Sequence, residues 1–296
     1  MSFTKLPGGV AVAALAGAAL VAGPAAAAQA QSAATVQIPC RASALVSAIS
    51  NANSGSGGII VLPANCNYDI TTAAAPGDGL PVITGHVVLA GAHNTAIRRR
   101  AGTTFRLFDV AASGSLSLTS ITVDGGSTAG LGGGIQNAGT VVLSRTVFTD
   151  NAAGNGGALA NNAGGTMRVS DSDFERNTTT GVGGGAIINS ADLTVTGSVL
   201  SRNTAPINGG AVNTQSAGIT RLTSTAVSEN TSGGLGGGLS NLGTTSLTGS
   251  TVTHNRGSSG GGIATGNTNV TLRATVVRNN APDNCNPLNT IPGCVN

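Results

Sequence analysis

Residues 156–177 read GGALANNAGGTMRVSDSDFERN: a glycine pair opens one apolar run, and a phenylalanine three residues ahead of an asparagine closes the next. Both markers recur. Glycine pairs followed by a small or aliphatic residue stand at Gly133-Gly134-Ile135, Gly156-Gly157-Ala158, Gly184-Gly185-Ala186, Gly209-Gly210-Ala211, Gly237-Gly238-Leu239 and Gly261-Gly262-Ile263. The second marker recurs as Phe148/Asn151, Phe174/Asn177, Leu200/Asn203, Val227/Asn230, Val252/Asn255 and Val276/Asn279, with asparagines 26, 26, 27, 25 and 24 residues apart. A fixed period of this length is the signature of a solenoid, whose repeats bury apolar surface only by stacking on one another.

Aligned on the asparagines, the position five before is Thr146, Ser172, Ser198, Thr225, Ser250 or Ala274. Eight before, in all but the last repeat, it is Leu143, Val169, Val195, Leu222 or Leu247. The inward positions change parity between these sets, and because strand side chains alternate with a period of two, a bend must separate two short strands. The glycine pair opens a third, as in Ala186-Ile187-Ile188. Three strands and three turns in roughly 25 residues make one coil of an all-β parallel β-helix, of about nine coils over residues 58–280. Stacked coils lie about 4.8 Å apart, so identical amides can hydrogen-bond up the stack as a ladder of Asn151, Asn177, Asn203, Asn230, Asn255 and Asn279. Asp124 is expected at the same position one coil earlier. Leucine-rich repeats share the period, but here the segment after each asparagine is glycine, serine, threonine and proline instead of a helix. Calcium-binding nonapeptide repeats need an aspartate after the glycines, and none of the six loops has one.

The paired GGAI-like and FxxN markers resemble the repeats of chlamydial polymorphic outer-membrane proteins and their relatives among secreted right-handed β-helix proteins. FTDN at Phe148–Asn151 and FERN at Phe174–Asn177 carry the second marker in full, and the likeness covers about residues 120–280. The resemblance implies a right-handed parallel β-helix outside the cell, with adhesin-like or surface roles.

The ends differ from the middle. In residues 1–30, Lys5 precedes an apolar run from Val10 to Val21, and Ala28-Gln29-Ala30 is a cleavage site of the kind that ends a secretory signal peptide. The mature chain is then expected to be extracellular, with no transmembrane segment. Residues 31–57 read as an N-terminal cap: an unstructured lead-in to residue 40, then a helix over Ala44–Ala52 capped by Ser43, with Leu45, Val46 and Ile49 on its apolar face. Residues 281–296 form a short tail. Cys40 with Cys66 and Cys285 with Cys294 flank the repeats as two local disulfides. Without Lys5 the net charge is +2, too small to argue for nucleic acid.

Few residues suggest chemistry. Asp171, Asp173 and Glu175 alternate with Ser172 and Phe174, so their carboxylates are expected on one outer face, where they could bind calcium or act as catalytic acids. β-Helix pectate lyases resemble this in combining acidic calcium ligands with an arginine base. Arg145, one coil earlier in register with Asp171, favours charge compensation instead. The positions preceding the ladder, Asp150, Arg176, Arg202, Glu229, His254 and Arg278, set like charges side by side only at 176/202. His86, His93 and His254 show no metal spacing and read as solvated turn residues. The concentrated positive charge is Arg98, Arg99, Arg100 and Arg106, which could hold the acids of a cell-surface polymer such as an acidic polysaccharide. The sequence thus favours a secreted, non-catalytic β-helix that binds a surface or matrix component, without cofactor or metal. The alternative is a lyase or glycoside hydrolase acting on acidic polysaccharide, with Asp171, Asp173 and Glu175 as its catalytic residues.

Overall fold

The computed structural model describes residues 34–55 and 57–296, so the expected signal peptide lies outside the described residues. Parallel strands wind into a β-solenoid of about ten turns. Sheet 1 has ten strands, running from Ala34–Gln37 and Gly58–Val61 through Thr140–Ser144 and Thr166–Ser170 to Val270–Arg273. Sheet 2 has nine, from Asn67–Ile70 through Asp173–Glu175 to Val276–Arg278. Sheet 3 has eight, from Phe108–Val110 to Cys285–Asn286. Residues 34–37, expected as unstructured lead-in, instead form the outermost strand because the exposed edge of Gly58–Val61 offers them a backbone partner.

Three bends of each regular coil use a left-handed backbone, whereas the turn from sheet 3 back to sheet 1 does so only at Gly164. Between sheets 1 and 2 the left-handed backbone falls on Ser120, Arg145, Asp171, Gly197, Ser224, Gly249 and Ala274; after sheet 2, on Asp150, Arg176, Arg202, Glu229, His254 and Asn279; before sheet 3, on Gly132, Gly156, Gly184, Gly209, Gly236 and Gly260. Only the last corner demands glycine. A Cβ on Gly184 would sit 2.6 Å from the Ile187 carbonyl carbon, whereas one on Gly249 meets nothing closer than Ser224 Oγ at 3.8 Å.

Inside, Phe148 and Phe174 stack with ring centroids 5.1 Å apart, continuing a column from Val123 to Leu200. Beside it runs the asparagine ladder. Asn177 Nδ2 donates to Asn203 Oδ1 (3.0 Å) and to Phe148 O (2.9 Å), while Asn203 Oδ1 also accepts from the Asn177 backbone N–H (2.9 Å). The same pattern links Asn151, Asn177, Asn203, Asn230 and Asn255.

Both ends of this ladder differ from expectation. The sixth rung is Asn280, which accepts from Asn255 Nδ2 at 3.0 Å; Asn279 is the left-handed corner residue in front of it. Val277, Thr275 and Leu272 then take the positions three, five and eight before, and the last coil conforms fully. A second asparagine beside the true one had pulled the alignment by one residue. At the other end Asp124 pairs with Thr149, two residues short of the ladder, and the Gly126 backbone N–H donates to Asn151 Oδ1.

A second amide ladder lines the junction of sheets 3 and 1. Asn137 donates to Asn161 (2.8 Å) and Asn161 to Asn189 (2.9 Å). In the next coil threonine replaces asparagine at Thr214, and the inward Thr220 accepts from Asn189 and shares a hydrogen bond with Thr214. Alignment on the glycine loops exposes it: each rung lies two residues after the first apolar residue, as in Ile135-Gln136-Asn137 and Leu159-Ala160-Asn161.

The helix spans Ala42–Ser54, longer than expected; Arg41 occupies its N-cap, and no side chain, Ser43 included, caps it. Leu45, Ile49 and Ala52 are its buried face, while Val46 is only partly covered. It packs on the first coils, and Asn53 fastens it through Val82 O and the Thr84 and Gly85 N–H groups. Disulfides join Cys40 to Cys66 and Cys285 to Cys294, as the sequence spacing predicts.

Candidate functional site

Sheet 2 and the corner that follows it hold much of the charge, and most of that is internally matched. Arg98 Nη2 lies 2.9 Å from Asp69, and Arg100 Nη2 2.6 Å from Asp124. Arg99 donates to the carbonyls of Gly125, Ala101 and Thr103 and lies over the Phe105 ring. Arg106 Nε stands 2.9 Å from Asp78 Oδ1, and its Nη1 donates to Gln136. The basic cluster anticipated as a binding patch is therefore engaged by this chain's own carboxylates and carbonyls.

Arg106 and Asp78 form the most enclosed of these pairs, with side chains only 14% and 9% exposed. Their facing atoms approach without the alignment of a hydrogen bond, so charge alone joins them. Burial pushes the Asp78 carboxyl up to about 6; Arg106 opposes the shift and Asp109 adds to it. Burial likewise raises Asp109, again against Arg106. A carboxyl with a raised folded-state pKa binds its proton more tightly folded than unfolded. Its contribution to stability is thus complete below the ordinary aspartate value near 4 and is lost as pH rises through about 6. The gap corresponds to roughly 3 kcal/mol. The melting temperature should therefore fall between about pH 4 and 6, with a flatter slope in Asp78→Asn; an identical slope would remove Asp78 as the cause.

The acidic triplet does not converge. Asp171 occupies the left-handed corner between the sheets, apart from the strand that carries Asp173 and Glu175. Its expected pairing with Arg145 is not formed, because Arg145 reaches back to Ser120 and Ser144. Glu175 lies 2.7 Å from Arg176 and 2.9 Å from Arg202. That answers the like-charge contact anticipated at 176/202: a carboxylate from the preceding strand sits between the two guanidiniums. Arg176 also meets Asp150 at 3.1 Å and Arg202 meets Glu229 at 2.9 Å, so one ion-pair chain descends four coils. Partial burial works against ionisation of Asp150, but hydrogen bonds from Arg176 and Thr149 outweigh it and hold the pKa below the usual value. Asp173 has no cationic partner among the described residues, and burial, then Glu175, push its carboxyl up. Among the described residues no three of histidine, cysteine, aspartate and glutamate gather as metal ligands. His86 opens a strand of sheet 1 and His93 lies in the loop after that strand, while His254 occupies a corner several coils away.

No protein-family model, curated protein or solved structure matches this chain.

Sheet 1 presents a different surface. Its inward residues are apolar for most of the stack, and its outward ones form three columns at the coil spacing. The column beside the first corner is Thr119, Ser144, Ser170, Thr196, Thr223 and Thr248, a hydroxyl in six successive coils. The middle column is Ser117, Val142, Arg168, Thr194, Arg221 and Ser246. Across these columns lies a shallow groove of about 390 Å³, lined by Val142, Arg168, Ser170, Thr194 and Thr196 among others. A second groove, about 440 Å³, lies between the helix and the first strand and is lined mainly by small apolar residues such as Ala34, Val36, Ala48 and Ile60. No helix among the described residues is long and apolar enough to cross a membrane. Neither the hydroxyl columns nor Arg168 stands out in the linear sequence. They are visible only once each strand is placed in register with the next.

Proposed function

We propose that this is an exported, non-catalytic β-helix that binds a repetitive extracellular polymer. The observation that carries the reading is the outer face of sheet 1, where hydroxyl side chains repeat at the coil spacing along the rod. A repeating face suits a repeating ligand, because each added coil brings another set of the same weak contacts within reach of the same chain. Two disulfides suit an oxidising compartment, and the apolar run from Val10 to Val21 suits export. The likeness of the GGAI and FxxN markers to polymorphic outer-membrane protein repeats supports a surface role.

A second reading, calcium-assisted cleavage of an acidic polysaccharide, keeps one specific support: Asp173, unpaired and with a raised pKa beside Glu175. Co-sedimentation with insoluble polysaccharides, run beside an assay for chain cleavage with and without Ca²⁺, separates the two. Binding without cleavage is expected. Calcium-dependent cleavage that disappears in Asp173→Ala would replace the binding reading with the enzymatic one.

A further inference from the structure

We infer that the outer face of sheet 1 holds an extended anionic polysaccharide, with Arg168 gripping its acidic groups and Thr194 and Thr196 its hydroxyls. The inference rests on the polymer-binding reading above and deepens it by naming the ligand's charge and the residues that meet it.

The charge distribution comes first. The outward positions of sheet 1 carry Arg168, Arg221 and Arg273, together with His86, against the single carboxylate of Asp192. Those of sheet 2 carry Asp69, Asp124, Asp173 and Glu175 against Arg98 and Arg278. Sheet 1 thus has a net positive outer face, whereas the carboxylates of sheet 2 are largely matched by Arg98, Arg100, Arg176 and Arg202, and an anionic chain is drawn to the first.

Within sheet 1 the arginines are not equivalent. Arg221 is paired with Asp192 at 2.5 Å. Arg168, exposed on the strand Thr166–Ser170, makes no ion pair or side-chain hydrogen bond with another described residue. It lines the groove, and its guanidinium carries five donors that no other described residue engages. The planar fork suits a carboxylate or a sulfate, either of which it can meet through two parallel hydrogen bonds.

The rest of the groove suits a sugar. The methyl groups of Val142, Thr194 and Thr196 offer apolar surface to the C–H faces of a pyranose, and the hydroxyls of Ser170, Thr194 and Thr196 can exchange hydrogen bonds with its hydroxyls. Arg221 follows two strands along in the same column, about 10 Å from Arg168, with Thr194 between them. A chain laid along the rod axis therefore crosses a cation, a hydroxyl and a cation in turn. Neutral polysaccharides are commonly held by stacking on exposed aromatic rings. The described aromatic side chains, Tyr68, Phe105, Phe108, Phe148 and Phe174, are all buried, so affinity has to come from charge and hydroxyls.

The test is affinity electrophoresis of the whole protein in gels containing polygalacturonate, dextran sulfate or neutral galactomannan. Wild type should be retarded by one or both anionic polymers, less so with added salt, and the more effective of the two identifies the acid as carboxylate or sulfate. Arg168→Gln should weaken that retardation about tenfold in apparent affinity, the loss of one charge-assisted contact, with an unchanged melting curve. Arg98→Gln, which alters an arginine already paired on sheet 2, should leave it intact. Equal binding by Arg168→Gln and wild type would overturn the assignment while leaving a polymer binder in place, as would equal retardation by galactomannan. Wild type unretarded by all three, and bound to no polysaccharide in the sedimentation assay, would bring down the broader reading as well.

Discussion

Gly185→Ala should destabilise the protein by about 4 kcal/mol or more, enough to prevent folding of a marginally stable chain. The added Cβ would meet the Gly210 carbonyl oxygen of the next coil and come within 2.7 Å of Thr204 N and 2.8 Å of Thr204 C. All three are backbone atoms of the next coil, whose position is fixed by the hydrogen bonds from Gly185 N–H to Gly209 O and from Thr204 N–H to Asn177 O. No rotamer change can relieve such a clash, so the coils would have to separate, and every hydrogen bond between them is set by that separation. Gly238→Ala supplies the contrast. Ala158, Ala186 and Ala211 already occupy its position in other coils, and its closest atom, Gly262 O at 2.7 Å, can retreat as the equivalent carbonyls do there. Its cost should stay within about 1 kcal/mol. Urea denaturation of the two variants checks this, and similar midpoints would show that stack spacing does not limit side-chain size at Gly185.

Asn203→Ala is expected to cost about 2–4 kcal/mol. Four hydrogen bonds disappear together: those from Asn203 Nδ2 to Phe174 O (3.0 Å) and Asn230 Oδ1 (2.9 Å), and those to Asn203 Oδ1 from Asn177 N (2.9 Å) and Asn177 Nδ2 (3.0 Å). Asn203 is fully buried, so no water replaces the lost partners, and the Asn177 backbone N–H is left without an acceptor. Asn279→Ala removes no rung and should cost only about 1 kcal/mol, the penalty for alanine in a left-handed corner. Thermal melts that rank the two variants the other way would restore Asn279 to the ladder and displace Asn280.

The sequence made the coil legible because two of its features tolerate almost no substitution. The ladder amide must donate and accept at once in a dry interior, which asparagine does from a short side chain. The corner before sheet 3 presses its Cα atoms against backbone carbonyls, which leaves only glycine. The other two corners have the same left-handed backbone but point outward, so arginine, aspartate, glutamate, histidine and serine all occupy them, and no residue type marks them. For the same reason the register slipped where Asn279 and Asn280 stand together: a corner and a rung can both be asparagine, and only the partner on Asn255 tells them apart. The binding face was less legible still. Arg98, Arg99 and Arg100 are adjacent in sequence and stand out as charge, yet Asp69, Asp124 and local carbonyls engage them from elsewhere in the fold. Arg168 and Arg221 are far apart in the chain and become neighbours only through the stacking of three coils.

The corners also differ in how much chain they contain. From sheet 1 to sheet 2 every regular coil crosses in two residues, whereas four to six residues separate each ladder asparagine from Gly156, Gly184, Gly209, Gly236 or Gly260. Length varies at the junction of sheets 3 and 1, where two to four residues intervene, and at this other seam, downstream of a rung already closed by its neighbours and upstream of a glycine that resets the backbone. Between the short paired strands that follow the rungs, Ala152–Ala153, Thr178–Thr179, Thr204–Ala205 and Thr231–Ser232, and the glycine, evolutionary drift or a protein engineer can lengthen the chain without shifting a strand pairing. Peptides inserted at that point in successive coils would be displayed in a row about 4.8 Å apart, in an order dictated by the gene.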